Sequence, residues 1–120
     1  MDTNIDPQVQ KELNTPLADP SGVNAEDAKF LDLIISLINE GKINLYNPDT
    51  LINHSFYDTL SSQNKGKADL EAFNVLTSLR EIKGLFDAGY RDTYQMQNLV
   101  ESVRHVKERI EADCGDIFII

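Results

Sequence analysis

Residues 25–40 carry the widest apolar helical pattern of the chain. On a wheel of about 100° per residue, the apolar side chains cover more than half of the circumference. These side chains are Phe30, Leu31, Leu33, Ile34, Ile35, Leu37 and Ile38. A helix with so wide an apolar face is usually packed from several sides. We therefore predict that this helix, with Asn24 as its N-cap and Gly41 after its end, is the central helix of the fold.

Two more amphipathic helices are predicted downstream, over roughly 67–88 and 93–112. In the second of them, apolar residues recur mostly at spacings of three and four, which indicates one buried face. Asp92 is its predicted N-cap. The first of the two starts as early as residue 62 if Ser61 is its cap. The short link between these helices predicts an antiparallel hairpin.

The segment between the first and second main helices contains signals for short elements. Residues 42–46 are predicted to be an extended connection that buries two apolar side chains. Asn47 followed by Pro48 favours a short helix that continues through Ile52, because proline suits the first helical position. Ser55 is the predicted cap of a second short piece, over residues 56–60. The fold class is therefore all-α, a small bundle of three main helices plus one or two short ones.

Charge and composition divide the chain into two parts. Residues 1–23 hold three of the four prolines and read as a flexible acidic arm, whereas residues 24–120 read as a single helical domain. On a helix, Val9 and Leu13 of the arm share a face, so the alternative is a segment that docks on the domain or on a partner. The net charge of −9 disfavours direct binding to nucleic acid or to an anionic membrane.

The chain ends in four large apolar residues, which is unusual because tails are mostly polar. Ile117, Phe118, Ile119 and Ile120 follow Gly115 and Asp116 as an extended apolar tail. Water must be excluded from these side chains. Three alternatives are open: the tail folds back on its own domain, it engages a second copy or another chain, or a peptide-binding domain captures its carboxylate.

No group of residues forms a recognisable catalytic or metal-binding motif. His54 and His105 are far apart in sequence, and the single cysteine, Cys114, lies at a helix C-terminus that disfavours a thiolate. Lys107 falls within the apolar arc of the last helix, which either snorkelling past the core edge or pairing with a carboxylate of another main helix would explain. The alternative is a cation that lines a pocket. Carboxylate pairs such as Asp69 and Glu71 fit a solvated surface. We expect no enzyme activity, no cofactor and no metal.

These observations favour a non-enzymatic protein–protein interaction module, an adaptor or a subunit of an assembly. The predicted partner-binding residues are the four apolar tail residues together with Tyr94, because tyrosine is enriched in binding hot spots. The partner is another protein or a second copy, with a homodimer as one form. The alternative function is a small acidic regulator or inhibitor of nucleic-acid machinery. Without a secretion signal or membrane-spanning segment in the sequence, we expect a cytoplasmic protein.

Overall fold

The computed structural model describes residues 25–120, and this part of the chain is all-α. Three long helices dominate: α1 (Ala25–Asn39), α3 (Ser62–Asp87) and α4 (Tyr94–Cys114). A 3-10 helix (Pro48–Leu51) and the one-turn helix α2 (His54–Tyr57) lie between α1 and α3. The predicted fold class is confirmed for the described residues. The predicted arm at residues 1–23 lies outside them.

Side-chain caps fix where the helices begin. The carbonyl oxygen of the Asn47 side chain accepts from the Asp49 N–H, as predicted for the cap before Pro48. The Ser61 hydroxyl accepts from the Asn64 N–H and starts α3 at residue 62, the earlier of the two predicted starts. Each such bond satisfies one of the N–H groups that a helix start leaves without a partner.

Two predicted caps are wrong by one or two residues. α2 is capped by Asn53 rather than Ser55, so this helix begins at His54. α4 is capped by Thr93 rather than Asp92, since the Thr93 hydroxyl accepts from the Met96 N–H. Both errors have one cause: asparagine, aspartate, serine and threonine all cap well, and neighbouring candidates compete.

α3 and α4 form the predicted antiparallel hairpin, and the other elements pack onto this pair. The 3-10 helix packs on α3, whereas α1 packs chiefly on α4. The Arg80 guanidinium of α3 donates to the Leu45 carbonyl oxygen at 2.6 Å and so fixes the connection after α1. The prediction that the first helix is central is therefore wrong, because α1 lies at one side of the bundle.

The C-terminal tail folds back on the domain, the first of the three alternatives. Its backbone pairs with the segment after the 3-10 helix: the Asn53 N–H donates to the Ile117 carbonyl at 2.7 Å, and the Ile119 N–H donates to the Leu51 carbonyl at 2.9 Å. Ile117 and Phe118 are 0% and 2% exposed. The tail is therefore part of the hydrophobic core of the described residues.

No helix among residues 25–120 combines the length and the apolar character needed to cross a bilayer.

Candidate interaction groove

One side of α1 stays uncovered although its sequence is apolar. The buried residues of this helix are Asp27, Leu31, Ile34 and Ile35. Leu33 is 41% exposed, and Phe30 is only partly buried. Leu37 and Ile38 pack partly against the core, so the uncovered apolar surface of α1 in the described structure is that of Leu33 and part of Phe30.

This uncovered side forms one wall of an open groove between α1 and α4. The groove has a volume of about 360 Å³. Its lining residues, which we call the α1–α4 groove, are Glu26, Lys29, Phe30, Leu33, Arg104, Lys107 and Glu108. They follow helical spacing on both walls, 26, 29, 30 and 33 on α1 and 104, 107 and 108 on α4. The groove is therefore lined by one helix face on each side, with Phe30 and Leu33 as its apolar surface.

The charge of the α1–α4 groove differs from that of the rest of the domain. Its lining has three cationic and two carboxylate side chains, a net charge of +1. Residues 25–120 carry ten basic and sixteen acidic residues, a net charge of −6. Lys29 forms no ion pair within this part of the chain, whereas Lys107 pairs with Glu111 at 2.5 Å. Arg104 and Lys107 are paired with Asp27 and Glu111, so Lys29 is the cation of the lining that has no carboxylate partner among residues 25–120.

A buried polar network holds the two walls together. The Gln97 amide nitrogen donates to Asp27 Oδ2 at 2.7 Å and to Glu101 Oε2 at 2.5 Å. Arg104 Nη1 donates to Asp27 Oδ1 and extends toward the groove. Asp27 is only 3% exposed. Because hydrogen bonds to charged groups are strong and directional, this network fixes the first turn of α1 against the middle of α4.

Burial and hydrogen bonding perturb the acid in this network. Removal from water raises the pKa of Asp27 above its ordinary value of 3.8, and a hydrogen bond with Glu101 raises it further. The Arg104 guanidinium acts in the opposite direction but does not reverse the shift. Arg104 is the one residue of this network that also lines the groove. The role of the network is therefore to hold the two walls of the groove together.

Likeness to known proteins gives no guide to this site. No protein-family model matches the chain, and no curated protein or solved structure matches it.

The structure separates the predicted partner-binding residues. Tyr94, partly buried, begins α4, whereas the tail follows the other end of this 21-residue helix, about 30 Å away at 1.5 Å per residue. Ile117, Phe118 and Ile120 are buried and Ile119 is partly buried. Partner binding by these residues stays a prediction, but the burial of the tail no longer requires a partner.

The residues considered for chemistry lie apart. His54 Nε2 is 3.3 Å from Asp49 Oδ1, and His105 is exposed on α4. Cys114 is buried and its thiol donates to the Asn64 carbonyl, while burial, assisted by Asp113, raises the pKa of this thiol. Among residues 25–120, no cluster of three or more histidine, cysteine or acidic side chains is arranged to hold a metal ion.

Lys107 pairs with Glu111 of α4 itself and not with a carboxylate of another helix, and its partly exposed side chain lines the groove, as the alternative of a cation at a pocket predicted. Sequence reasoning missed the buried polar network. The available signal was the spacing of Gln97, Glu101, Arg104 and Glu108, which forms a polar line along one edge of the apolar stripe of α4.

Proposed function

We propose that this protein is a non-enzymatic protein–protein interaction module that binds an amphipathic helix in the α1–α4 groove. The observation that supports the proposal is the uncovered apolar side of α1, with Leu33 41% exposed, beside a lining of net positive charge. A groove between two helices is a common site for a third helix, which inserts residues spaced three and four apart. The module would act as an adaptor or as a subunit of an assembly.

The chemistry of the groove specifies the partner helix. Its apolar face contacts Phe30 and Leu33, and acidic residues beside that face meet Lys29 and Lys107. The network at Asp27 holds the walls in place before binding, so little ordering of the groove itself opposes association. Charge complementarity of this kind selects among partners and accelerates their encounter more than it adds affinity.

Two synthetic helical peptides test this proposal. Both carry the same leucine face, and acidic residues flank it in one peptide and basic residues in the other. Fluorescence anisotropy is expected to show binding of the acidic peptide and at least tenfold weaker binding of the basic one. Leu33→Asp and Lys29→Glu are expected to weaken binding of the acidic peptide severalfold or more, because they remove the apolar contact and reverse the charge of Lys29.

Leu70→Asp is the matched control. Leu70 lies on α3, is 61% exposed and does not line the groove, so the substitution adds the same charge elsewhere. Its affinity for the acidic peptide is expected to equal that of the wild type. Equal losses in the Leu33 and Leu70 variants, or no binding of either peptide, would contradict the proposal.

A further inference from the structure

We propose that residues 1–24 of the same chain occupy the α1–α4 groove as an intramolecular ligand, which a partner must displace. This inference rests on the groove of the proposed function and names its resident competitor. It makes the protein self-regulated, since the groove is open to a partner only when the N-terminal segment leaves it.

The point of attachment favours this occupant. Residues 1–24 join the domain at Ala25, the first residue of α1, and the α1 wall of the groove begins at Glu26. Leu33, the far end of this wall, is eight residues from Ala25, about 12 Å along the helix axis. The 11 residues from Asn14 to Asn24 span up to about 36 Å when extended, so Val9 and Leu13 reach the whole wall.

The composition of the segment complements the groove. Val9 and Leu13 are four residues apart in sequence, a spacing that on a helix would place both on one face and supply two apolar contacts to Phe30 and Leu33. The segment also contains four acidic residues and one lysine, a net charge of −3. This charge is opposite to the +1 of the groove lining, where Lys29 forms no ion pair within residues 25–120.

Attachment also favours this occupant over a second copy. A ligand on a short tether has an effective concentration in the millimolar range. A second copy of the protein at about 10 μM would supply the same segment at a concentration about a hundredfold lower. Binding within one chain therefore dominates wherever the tether can reach.

Photo-crosslinking in the full-length chain tests the contact. Benzoylphenylalanine replaces Val9 in one variant and Lys11 in the control, because residue 11 lies on the opposite side of a helix from Val9 and Leu13. The position-9 variant is expected to form an adduct at monomer mass, with the crosslink at residues 30–33 or 104–108, and the control is expected to form none there. No adduct, an adduct elsewhere or an adduct at dimer mass would overturn the inference.

Competition with the acidic peptide gives a second measurement. The full-length double variant Val9→Asp, Leu13→Asp is expected to bind this peptide about tenfold more tightly than the wild type, because the competitor no longer fits. The control Gln8→Asp, Asn14→Asp adds the same charge away from the apolar face and is expected to leave the affinity unchanged. Equal affinities in the wild type and both variants would overturn the inference.

The two proposals fail in different ways. If the peptide binds no variant while the position-9 adduct forms at the groove, the function in partner binding fails and the intramolecular contact stands. If the peptide binds the wild type and both double variants alike and no adduct forms, the inference fails and the proposed function stands.

Discussion

Gly115 joins α4 to the tail in a backbone conformation that is almost exclusive to glycine. Its φ is 69° and its ψ is −154°, and an added Cβ would lie 3.1 Å from the Phe56 ring. Gly115→Ala is expected to lower the free energy of unfolding by about 1–3 kcal/mol because of backbone strain. Gly84→Ala is the matched control, since this glycine is within α3 and its Cβ would meet open space.

The control is expected to raise the free energy of unfolding by about 0.5–1 kcal/mol, because alanine restricts the unfolded chain and favours a helix. Urea denaturation of both variants measures the difference. Effects of the same sign would contradict the conformational argument.

Asp27 makes a second residue-scale prediction, which concerns pH. Its folded-state pKa is raised above 3.8, mainly by burial, so the folded protein binds this proton more tightly than the unfolded chain does. Its favourable contribution is therefore complete below pH 3.8 and is lost as the pH rises through the folded-state pKa. Relative to Asp27→Asn, the wild type is expected to gain stability as the pH falls from 7 toward 4.

Urea denaturation across this pH range measures that gain. Asp32→Asn is the control, because Asp32 lies on the same helix, is largely exposed and pairs with Arg91 at 3.0 Å. The difference in unfolding free energy between the wild type and this control is expected not to show the pH dependence predicted for Asp27→Asn. A difference between the wild type and the Asp27 variant that stays constant with pH would show that the network does not perturb this acid.

At the scale of elements, the two faces of α1 predict opposite responses to substitution. Ile34 is fully buried, so Ile34→Ala is expected to lower the free energy of unfolding by about 2–5 kcal/mol through lost contacts and a cavity. Leu33 is 41% exposed, and Leu33→Ala is expected to cost less than about 1 kcal/mol. Thermal or urea denaturation distinguishes the two. A comparable cost at Leu33 would mean that this face stabilises the fold and is not reserved for a ligand.

The helices were predictable because their signals are local. Apolar spacing located the three long helices, and Gly41 was predicted to follow the first of them, where the structure has a φ of 78°. The position of α1 was not predictable, since periodicity gives the width of an apolar face and not what covers it. The periodicity predicted that several elements pack around α1, whereas in the structure α1 packs chiefly on α4 and Leu33 stays exposed to solvent. The candidate groove results from that difference.

The buried network was less accessible to sequence reasoning for a similar reason. Polar residues at the edge of an apolar stripe are compatible with solvent and with a buried pair. Gln97 and Asp27 are 70 residues apart in sequence, and their hydrogen bond depends on how α1 docks on α4. Docking is a property of the packed helices, and no local pattern in either helix specifies it.

At the scale of the whole molecule, the tail closes the fold from the C-terminal end. Phe118 pairs with Ile52, and the Asn53 side chain donates to the Asp116 carbonyl at 3.2 Å, so the tail is joined to the segment after the 3-10 helix. The core thus combines residues of α1, α3, α4, the 3-10 helix and the tail. The sequence suggested that a partner covers the apolar surface of the tail. In the structure most of this surface is buried within the same chain.

Removal of residues 116–120 is therefore expected to unfold the domain. Burial of Ile117, Phe118 and Ile120 contributes about 2 kcal/mol each, or about 6 kcal/mol in total. That sum is comparable to the whole stability of a domain of this size, about 5–15 kcal/mol. Circular dichroism should show lost helicity in the truncated chain, whereas Ile119→Ala, at a partly buried position, should retain the helices. Intact helices after truncation would instead favour the predicted role of the tail in partner binding.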